Sequence, residues 1–287
     1  QLSAEKIQHD KKKQIINYKN AWLKVYDVPV MYFPKFFHPD PTVKRKSGFL
    51  IPSIQNSNNS NGYLSLPYYS VISNNKDATF TPRFYADDKF LVQTEYRQVN
   101  KNSKFSTDLS FYNEKDKNTK NHFFYQYNKE LVFDYFDESE IDLKIQQTSN
   151  DTYLRRNKLT SPLITSYDVL ETSFDLDLYS DDLSINSGLI VYEDLNKDKN
   201  DRYEFILPQI DLVKRFENTN LNGDLYLKSN NYVRNYQTNI LEKTNVNDLI
   251  FNSNPKISNN GIYNNYDVII KNVNSDSKNS KNFKKDE

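Results

Sequence analysis

Along most of the chain, apolar and polar residues alternate one for one. In FSTDLSFY (105–112), Phe105, Thr107, Leu109 and Phe111 share one parity. In EIDLKIQ (140–146), Ile141, Leu143 and Ile145 alternate with Asp142 and Lys144. SFDLDLYS (173–180) repeats the pattern with Phe174, Leu176 and Leu178, and GDLYLKSNNYVRNY (223–236) opens the same way. A period of two gives a strand with one apolar and one polar face. Polar turn clusters separate these segments: NEKDKNTKN (113–121), FDESE (136–140), NKDKND (196–201), ENTNLNGD (217–224) and NSNPKISNNG (252–261). The pattern predicts an all-β chain, a long series of antiparallel strands joined by hairpins. Several run to about ten residues, the length that crosses a bilayer at a tilt.

A water-soluble sandwich and an outer-membrane barrel share this alternation. Three features favour the barrel. The polar faces carry many Asp, Lys, Glu, Gln and Asn residues, which suit a wet lumen. The apolar faces carry Phe and Tyr near strand ends, as aromatic girdles do. Hairpin also follows hairpin without the regular Gly/Pro corners of a small sandwich.

The first 33 residues read differently. Short strands are expected about Ile7, Gln14–Tyr18, Ala21–Tyr26 and Val28–Phe33, at a spacing that suggests the stacked rungs of a β-jelly roll or solenoid. PKFFHPDP (34–41) has three prolines in eight residues and is expected to form a semi-rigid elbow rather than a strand. The division expected is therefore 1–33, a connector at 34–46, and a strand array from 47 to 287.

Two prolines stand inside strand-forming runs, Pro52 in Phe49–Ile54 and Pro67 in Tyr63–Ile72. A proline removes a ladder hydrogen bond and belongs on an edge or at a bulge. Lys44, Arg45 and Lys46 form a cationic cluster just before the first of these runs. They are candidates to contact phosphate, or to form a solvated anchor. Ile7, Ile15, Ile16, Trp22, Leu23, Val25, Val28, Val30 and Tyr32 supply apolar side chains to the opening strands. These residues fill a core or line an apolar groove, and alternation predicts some of each.

Composition adds four points. There are four alanines against 22 tyrosines and 18 phenylalanines, which is hard to reconcile with a helical protein. A mean hydropathy of −0.84 would suggest disorder, but not with so many aromatic residues. The 38 basic and 38 acidic residues cancel, which argues against a bulk nucleic-acid partner. No cysteine is present, so disulfides and thiolate metal sites are excluded within this segment. Nothing resembles a signal peptide, and Gln1 is an unusual start, so the sequence reads as an internal piece of a longer protein.

Candidate chemistry is sparse. His9, His38 and His122 are scattered without metal-ligand spacing. Asp194, Asn196, Asp198 and Asn200 are spaced like a calcium loop, but the sixth-position glycine and twelfth-position glutamate are missing. There is no G-x-S-x-G, H-E-x-x-H or P-loop motif. No catalytic residue, metal site or cofactor is expected.

The segments NAWLKVYDVPVMYFPKFFHPDPTVKRKSGFLIPSI (20–54), LPYYSVISNNKDATFTPRFY (66–85), TEYRQV (94–99) and NDTYLRRN (150–157) together resemble the LPS-assembly outer-membrane protein family (LptD, also called OstA). The ordered run R-K-S-G-F-L-I-P, then P-Y-Y, then D-A-T-F-T-P carries the resemblance, and NVNSDSKNSKNF (272–283) looks like a further family turn. The resemblance implies a periplasmic β-jelly roll fused to a large β-barrel in the outer membrane of a Gram-negative bacterium. Lipopolysaccharide (LPS) would arrive along the jelly roll from a periplasmic LptA-like bridge protein and leave among the outer-membrane lipids through a lateral gate between the first and last strands. An LptE-like lipoprotein plug would sit in the lumen. On this reading residues 1–33 end the jelly roll and 47–287 begin the barrel. Pro52 and Pro67 then weaken the gate, Lys44, Arg45 and Lys46 meet LPS phosphate, and Trp22, Leu23, Val25, Val28, Val30 and Tyr32 lie along the acyl-chain path. Two other readings stay open: a porin or receptor with a periplasmic extension, and a secreted β-sandwich adhesin.

Overall fold

The computed structural model describes residues 2–43, 45–55, 62–85, 88–198, 200–216 and 222–280. The chain divides into two compact units, Gln1–Val99 with Ser106–His122, and Asn100–Phe105 with Phe123–Glu287.

The first unit opens with an antiparallel meander of β1 (Leu2–Asp10), β2 (Ile15–Val25) and β3 (Val28–Pro39). The four short strands expected here are therefore three longer ones. The expected break after Tyr18 is instead a kink: Asn20 takes a left-handed φ of 50° and drops out of both ladders, while its neighbours stay paired. Asn tolerates that conformation better than most residues, so the strand bends without ending. Tyr26 and Asp27, both at positive φ, close the β2–β3 hairpin in two residues. The proline-rich elbow is also corrected. Residues 34–39 continue β3, which pairs with β2 alone in this meander. Pro39 points to the outer side of this edge strand, which has no ladder to lose, and Pro34 faces β2 opposite Asn20, where the ladder is already interrupted. The irregular link begins at Asp40, whose carboxylate accepts the Thr42 N–H and hydroxyl, both at 2.8 Å. Those bonds hold the Asp40 carboxyl below the usual carboxylate range. Their contribution is fully present at neutral pH and is lost progressively as acidification passes from the ordinary carboxylate range down through that lowered value.

β4 (Gly48–Phe49), β5 (Ser53–Gln55), β6 (Tyr63–Ser65), β7 (Tyr68–Ser73), β8 (Lys76–Tyr85), β9 (Lys89–Val99) and most of β10 (Ser103–Glu114) complete this unit. β4 pairs with β7 and β5 with β6; β6 and β7 both pair with β8, and β8 pairs with β9, all antiparallel. The register places Asp77, Thr79, Thr81 and Arg83 opposite Arg97, Glu95, Gln93 and Leu91 on one face. Phe80, Pro82 and Phe84 lie opposite Thr94, Val92 and Phe90 on the other.

Burial of these two faces is inverted relative to a water-soluble sheet. The polar side is the buried one: Arg83, Gln93, Asp108, Ser110 and His122 are all buried. The apolar side is exposed, with Phe84 at 46 %, Phe90 at 41 % and Phe111 at 52 %. Water penalises an aromatic surface of this kind, and hydrocarbon does not.

The second unit holds most of β11 (Lys120–Glu130), then β12 (Glu138–Thr148), a single helical turn α1 (Tyr153–Asn157), β13 (Val169–Tyr179), β14 (Leu183–Asp194), β15 (Tyr203–Phe216), β16 (Gly223–Tyr236) and β17 (Ile240–Ser253). A small hairpin of β18 (Lys256–Ile257) and β19 (Tyr263–Asn264) precedes β20 (Asp267–Lys278). From β12 each strand pairs antiparallel with the next, and β20 returns to β17. The alternation expected for 140–146 and 173–180 holds. Ile141 and Leu143 face Leu176 and Phe174, while Glu140 and Asp142 face Asp177 and Asp175. Directly opposed like charges destabilise a dry sheet, so this face needs water or counter-charge. The stretch 272–283, expected to be a turn, is strand as far as Lys278. Its residues pair one for one with β17.

Gly223 is required at the base of β16. A Cβ there would sit 2.3 Å from the backbone oxygen of Asn252 and 2.8 Å from Cα of Ser253. Both contacts are backbone and cannot swing aside. Gly223→Ala is predicted to cost about 1–3 kcal/mol, as overpacking does, visible as a lower denaturant midpoint for the full-length protein.

Candidate functional site

The two prolines singled out from sequence each split a strand. Pro52 lies between β4 and β5, and Pro67 between β6 and β7. The breaks face each other. Gly48 and Phe49 pair with Tyr69 and Tyr68, whereas Ser53 and Ile54 pair with Ser65 and Leu64. Three residues on one side therefore oppose two on the other, a one-residue bulge with Pro52 inside it.

The surviving bonds show what is lost. The Leu50 N–H donates to the Pro67 carbonyl at 2.9 Å, and the Leu66 N–H donates to the Pro82 carbonyl at 3.2 Å. Within an antiparallel ladder such pairs exchange two bonds. Pro67 and Pro82 have no N–H to return, so each pair keeps one. Pro82 escaped sequence reasoning, although its spacing was a usable signal: Pro52, Pro67 and Pro82 recur every fifteen residues. Among the described residues β4 and β5 have strand partners on one side only, which makes them an edge.

The cationic cluster reaches in two directions. Lys44 lies outside the described residues. Arg45 donates to Asp77 at 2.6 Å, to the Tyr69 hydroxyl at 3.2 Å and to the Asn74 carbonyl. Lys46 donates to the carbonyls of Lys13 and Gln14 in the β1–β2 turn. Arg97 reaches the other oxygen of Asp77 at 2.6 Å and also holds Glu95 and Thr79, both at 2.9 Å. Consecutive residues thus fasten the link to the meander on one side and to the base of β7–β9 on the other. Ser47 adds a bond from the Val71 N–H at 2.8 Å. Because Arg45 is partly exposed, solvent screens its ion pair with Asp77. A double-mutant cycle of Arg45→Ala and Asp77→Ala is predicted to give a coupling of about 1 kcal/mol, with protease nicking within 40–47 rising in each single variant.

The apolar candidates separate by face. Trp22 pairs with Tyr32 across β2 and β3, their rings 4.8 Å apart, and both are exposed. Ile7 lies on that side too, through its register with Tyr18, and is exposed. Leu23 faces the opposite way and is buried with Ala21. Val28 and Val30 are exposed near the hairpin end, and the side chain of Val25 lies outside the described ones.

The three histidines do not converge. His9 bonds Asp40, and His38 Nε2 lies 2.8 Å from the Tyr18 hydroxyl. His122 joins a buried network that its isolation in sequence did not suggest. Its Nδ1 is 2.6 Å from Ser110 Oγ and its Nε2 is 3.2 Å from Asp108, which also receives both bonds from the Gln93 carboxamide. A hydrolase triad uses the same three residue types, but Ser110, Asp108 and His122 are each at most 1 % exposed, so no acyl group reaches Ser110. The network pairs these buried groups with one another rather than with solvent. Of the calcium-like loop, Asp194 accepts the Asn196 N–H and Asn196 accepts a bond from Arg155. Among the described residues no group of three His, Cys, Asp or Glu side chains is placed to hold a metal ion.

Comparison with known proteins gives one consistent family. The family model described as LptD protein matches residues 16–176. The LPS-assembly protein LptD of Pseudoalteromonas atlantica is 29 % identical over 197 residues, which cover 68 % of this chain and 25 % of that protein. Its counterpart in Nitrosococcus oceani is 39 % identical over 100 residues, 35 % of this chain and 13 % of that protein. The one in Pseudomonas aeruginosa is 34 % identical over 102 residues, 36 % and 11 % respectively. The chain spans a quarter or less of the length of these relatives.

Proposed function

The chain belongs to the LptD family, and on that premise we propose that it forms the opening part of an outer-membrane LPS translocon. Its apolar strand faces meet lipid and its polar faces line a water-filled lumen for sugars. The β1–β3 meander is the end of a periplasmic jelly roll that receives LPS, with the exposed Trp22–Tyr32 side as the acyl-chain surface. The lateral gate is the edge made by β4 and β5, closed in the complete protein by the last barrel strand. A lipoprotein plug in the lumen and a bridge protein at the jelly roll are the partners this reading requires.

The inverted burial of the two sheet faces supports the reading most directly. A buried Arg, Gln, Asp and His beside exposed Phe residues suits a wall between lumen and bilayer. It weighs against a secreted sandwich, whose outer faces would be polar. The facing proline breaks on an edge weigh against an ordinary porin or receptor, whose closing strands gain nothing from lost bonds. Phosphate contact by Lys44, Arg45 and Lys46 remains part of the proposal. For Arg45 and Lys46 it requires exchange of their present partners.

Depleting the full-length protein tests the function. LPS is expected to accumulate on the periplasmic side while other outer-membrane proteins still insert. Normal surface LPS in depleted cells would refute the assignment.

A further inference from the structure

At the end of the second unit that carries α1, three connections are tied together. Thr238, in the β16–β17 turn, donates to the Asn200 carbonyl at 2.9 Å and to Asp201 in the β14–β15 loop. Arg202 lies 2.6 Å from Glu193 and 2.6 Å from Asp151, which belongs to the β12–β13 connection. Behind these ties is a cavity of about 250 Å3, lined by Tyr192, Tyr203, Tyr236, Arg202, Arg234 and Gln237 among others.

We propose that this rim cavity is a subsite for a single neutral sugar ring. The proposal deepens the glycolipid reading above and rests on it for the source of the sugar. Charge comes first. Each cation of the lining is already matched: Lys197 with Asp194 at 3.3 Å, Arg202 with Asp151 and Glu193, and Arg234 with Glu204 at 2.7 Å. Nothing is left over to attract a phosphate, and the remaining lining carboxylate, Asp201, accepts the Thr238 hydroxyl. The walls come second. Arg234 lies 4.2 Å over the ring of Tyr236, and Tyr192 and Tyr203 add two further rings. Planar walls of this kind suit a ligand with an apolar C–H face. The remaining polar groups come third. The hydroxyl of Tyr203 bonds Glu193 and that of Tyr236 bonds Glu242. The Tyr192 hydroxyl and the Gln237 carboxamide have no hydrogen-bond partner among the described residues, and each both donates and accepts. A pyranose edge of hydroxyls has that requirement. The volume lies just below the range of drug-sized pockets, which limits the ligand to about one ring.

The test uses the full-length protein in a sugar-free amine-oxide detergent. Saturation-transfer NMR is run with D-glucose, D-galactose and D-mannose as probes and inorganic phosphate as competitor. We expect saturable millimolar binding of at least one sugar, no competition from phosphate, and at least a fivefold loss in Tyr192→Phe with Gln237→Asn. Asn is chosen because position 237 has a φ of 45°, which Asn tolerates. Heat-modifiable gel migration verifies that the variant folds. Absence of saturation for all three sugars, equal binding by the variant, or displacement by phosphate would each overturn the proposal. Surface LPS in depleted cells reports on the export reading alone, so the two failures are distinguishable.

Discussion

Replacing Pro52 and Pro67 together by alanine in the full-length protein is expected to slow delivery of LPS to the cell surface by roughly thirtyfold. Pro67→Ala restores the N–H that Leu50 lacks as a return partner, and Pro52→Ala supplies a second donor inside the bulge. Each regained bond contributes about 1 kcal/mol, more where water is absent. The Leu50–Pro67 pair joins the edge to β6–β7, so its bonds resist the bending of the edge away from the sheet that opening the seam requires. About 2 kcal/mol of such added cost reduces the open population roughly thirtyfold, at 1.4 kcal/mol per factor of ten. Pro82→Ala is the control. It repairs the Leu66–Pro82 pair one strand further in and leaves the edge as it is, so export should stay near normal. Equal slowing by Pro82→Ala would mean that general stiffness, rather than the edge, sets the rate. Unchanged export in the double variant would remove the gate from the account.

The second large effect concerns Phe174. It lies on the apolar face of β13, opposite Leu143 and Leu189, and is 40 % exposed. If that face meets hydrocarbon, Phe174→Arg costs about 2–4 kcal/mol in lipid vesicles. If it meets water, the change is nearly neutral. Asn186→Lys provides the contrast. Asn186 lies on the polar face between Asp177 and Asp211, where a cation relieves like charge, and its cost should stay within about 0.5 kcal/mol. Denaturant unfolding of the full-length protein in vesicles measures both.

The strands were legible because a period of two is a local property. Ile141, Leu143, Phe174 and Leu176 fall on one face whatever happens elsewhere in the chain. The alternation did not reveal which face is buried, since that depends on the solvent beyond it. Pro39 misled because its nitrogen faces the outer side of β3, which has no neighbour in its meander, and Pro34 because it faces β2 opposite Asn20, where the ladder is already interrupted. Asn20 was half legible: the chain does change direction there, but a single left-handed residue bends a strand without ending it. The partners of Arg45 and Lys46 were out of reach, because Asp77 and Gln14 are 32 positions away in opposite directions. The weak point at Pro52 and Pro67 was visible as a loss of donors, yet the matching missing bond at Pro82 and the slipped register between the edge strands emerge only once the strands are paired.

The account depends most on which side of the sheet touches lipid, and site-specific photo-crosslinking in cells measures that. A photoreactive residue placed in the full-length protein at Phe84, Phe123 or Phe174 should capture lipid acyl chains, and one at Thr81 or Asn186 should not. Acyl adducts at Thr81 or Asn186, or none at the three phenylalanine positions, would contradict it.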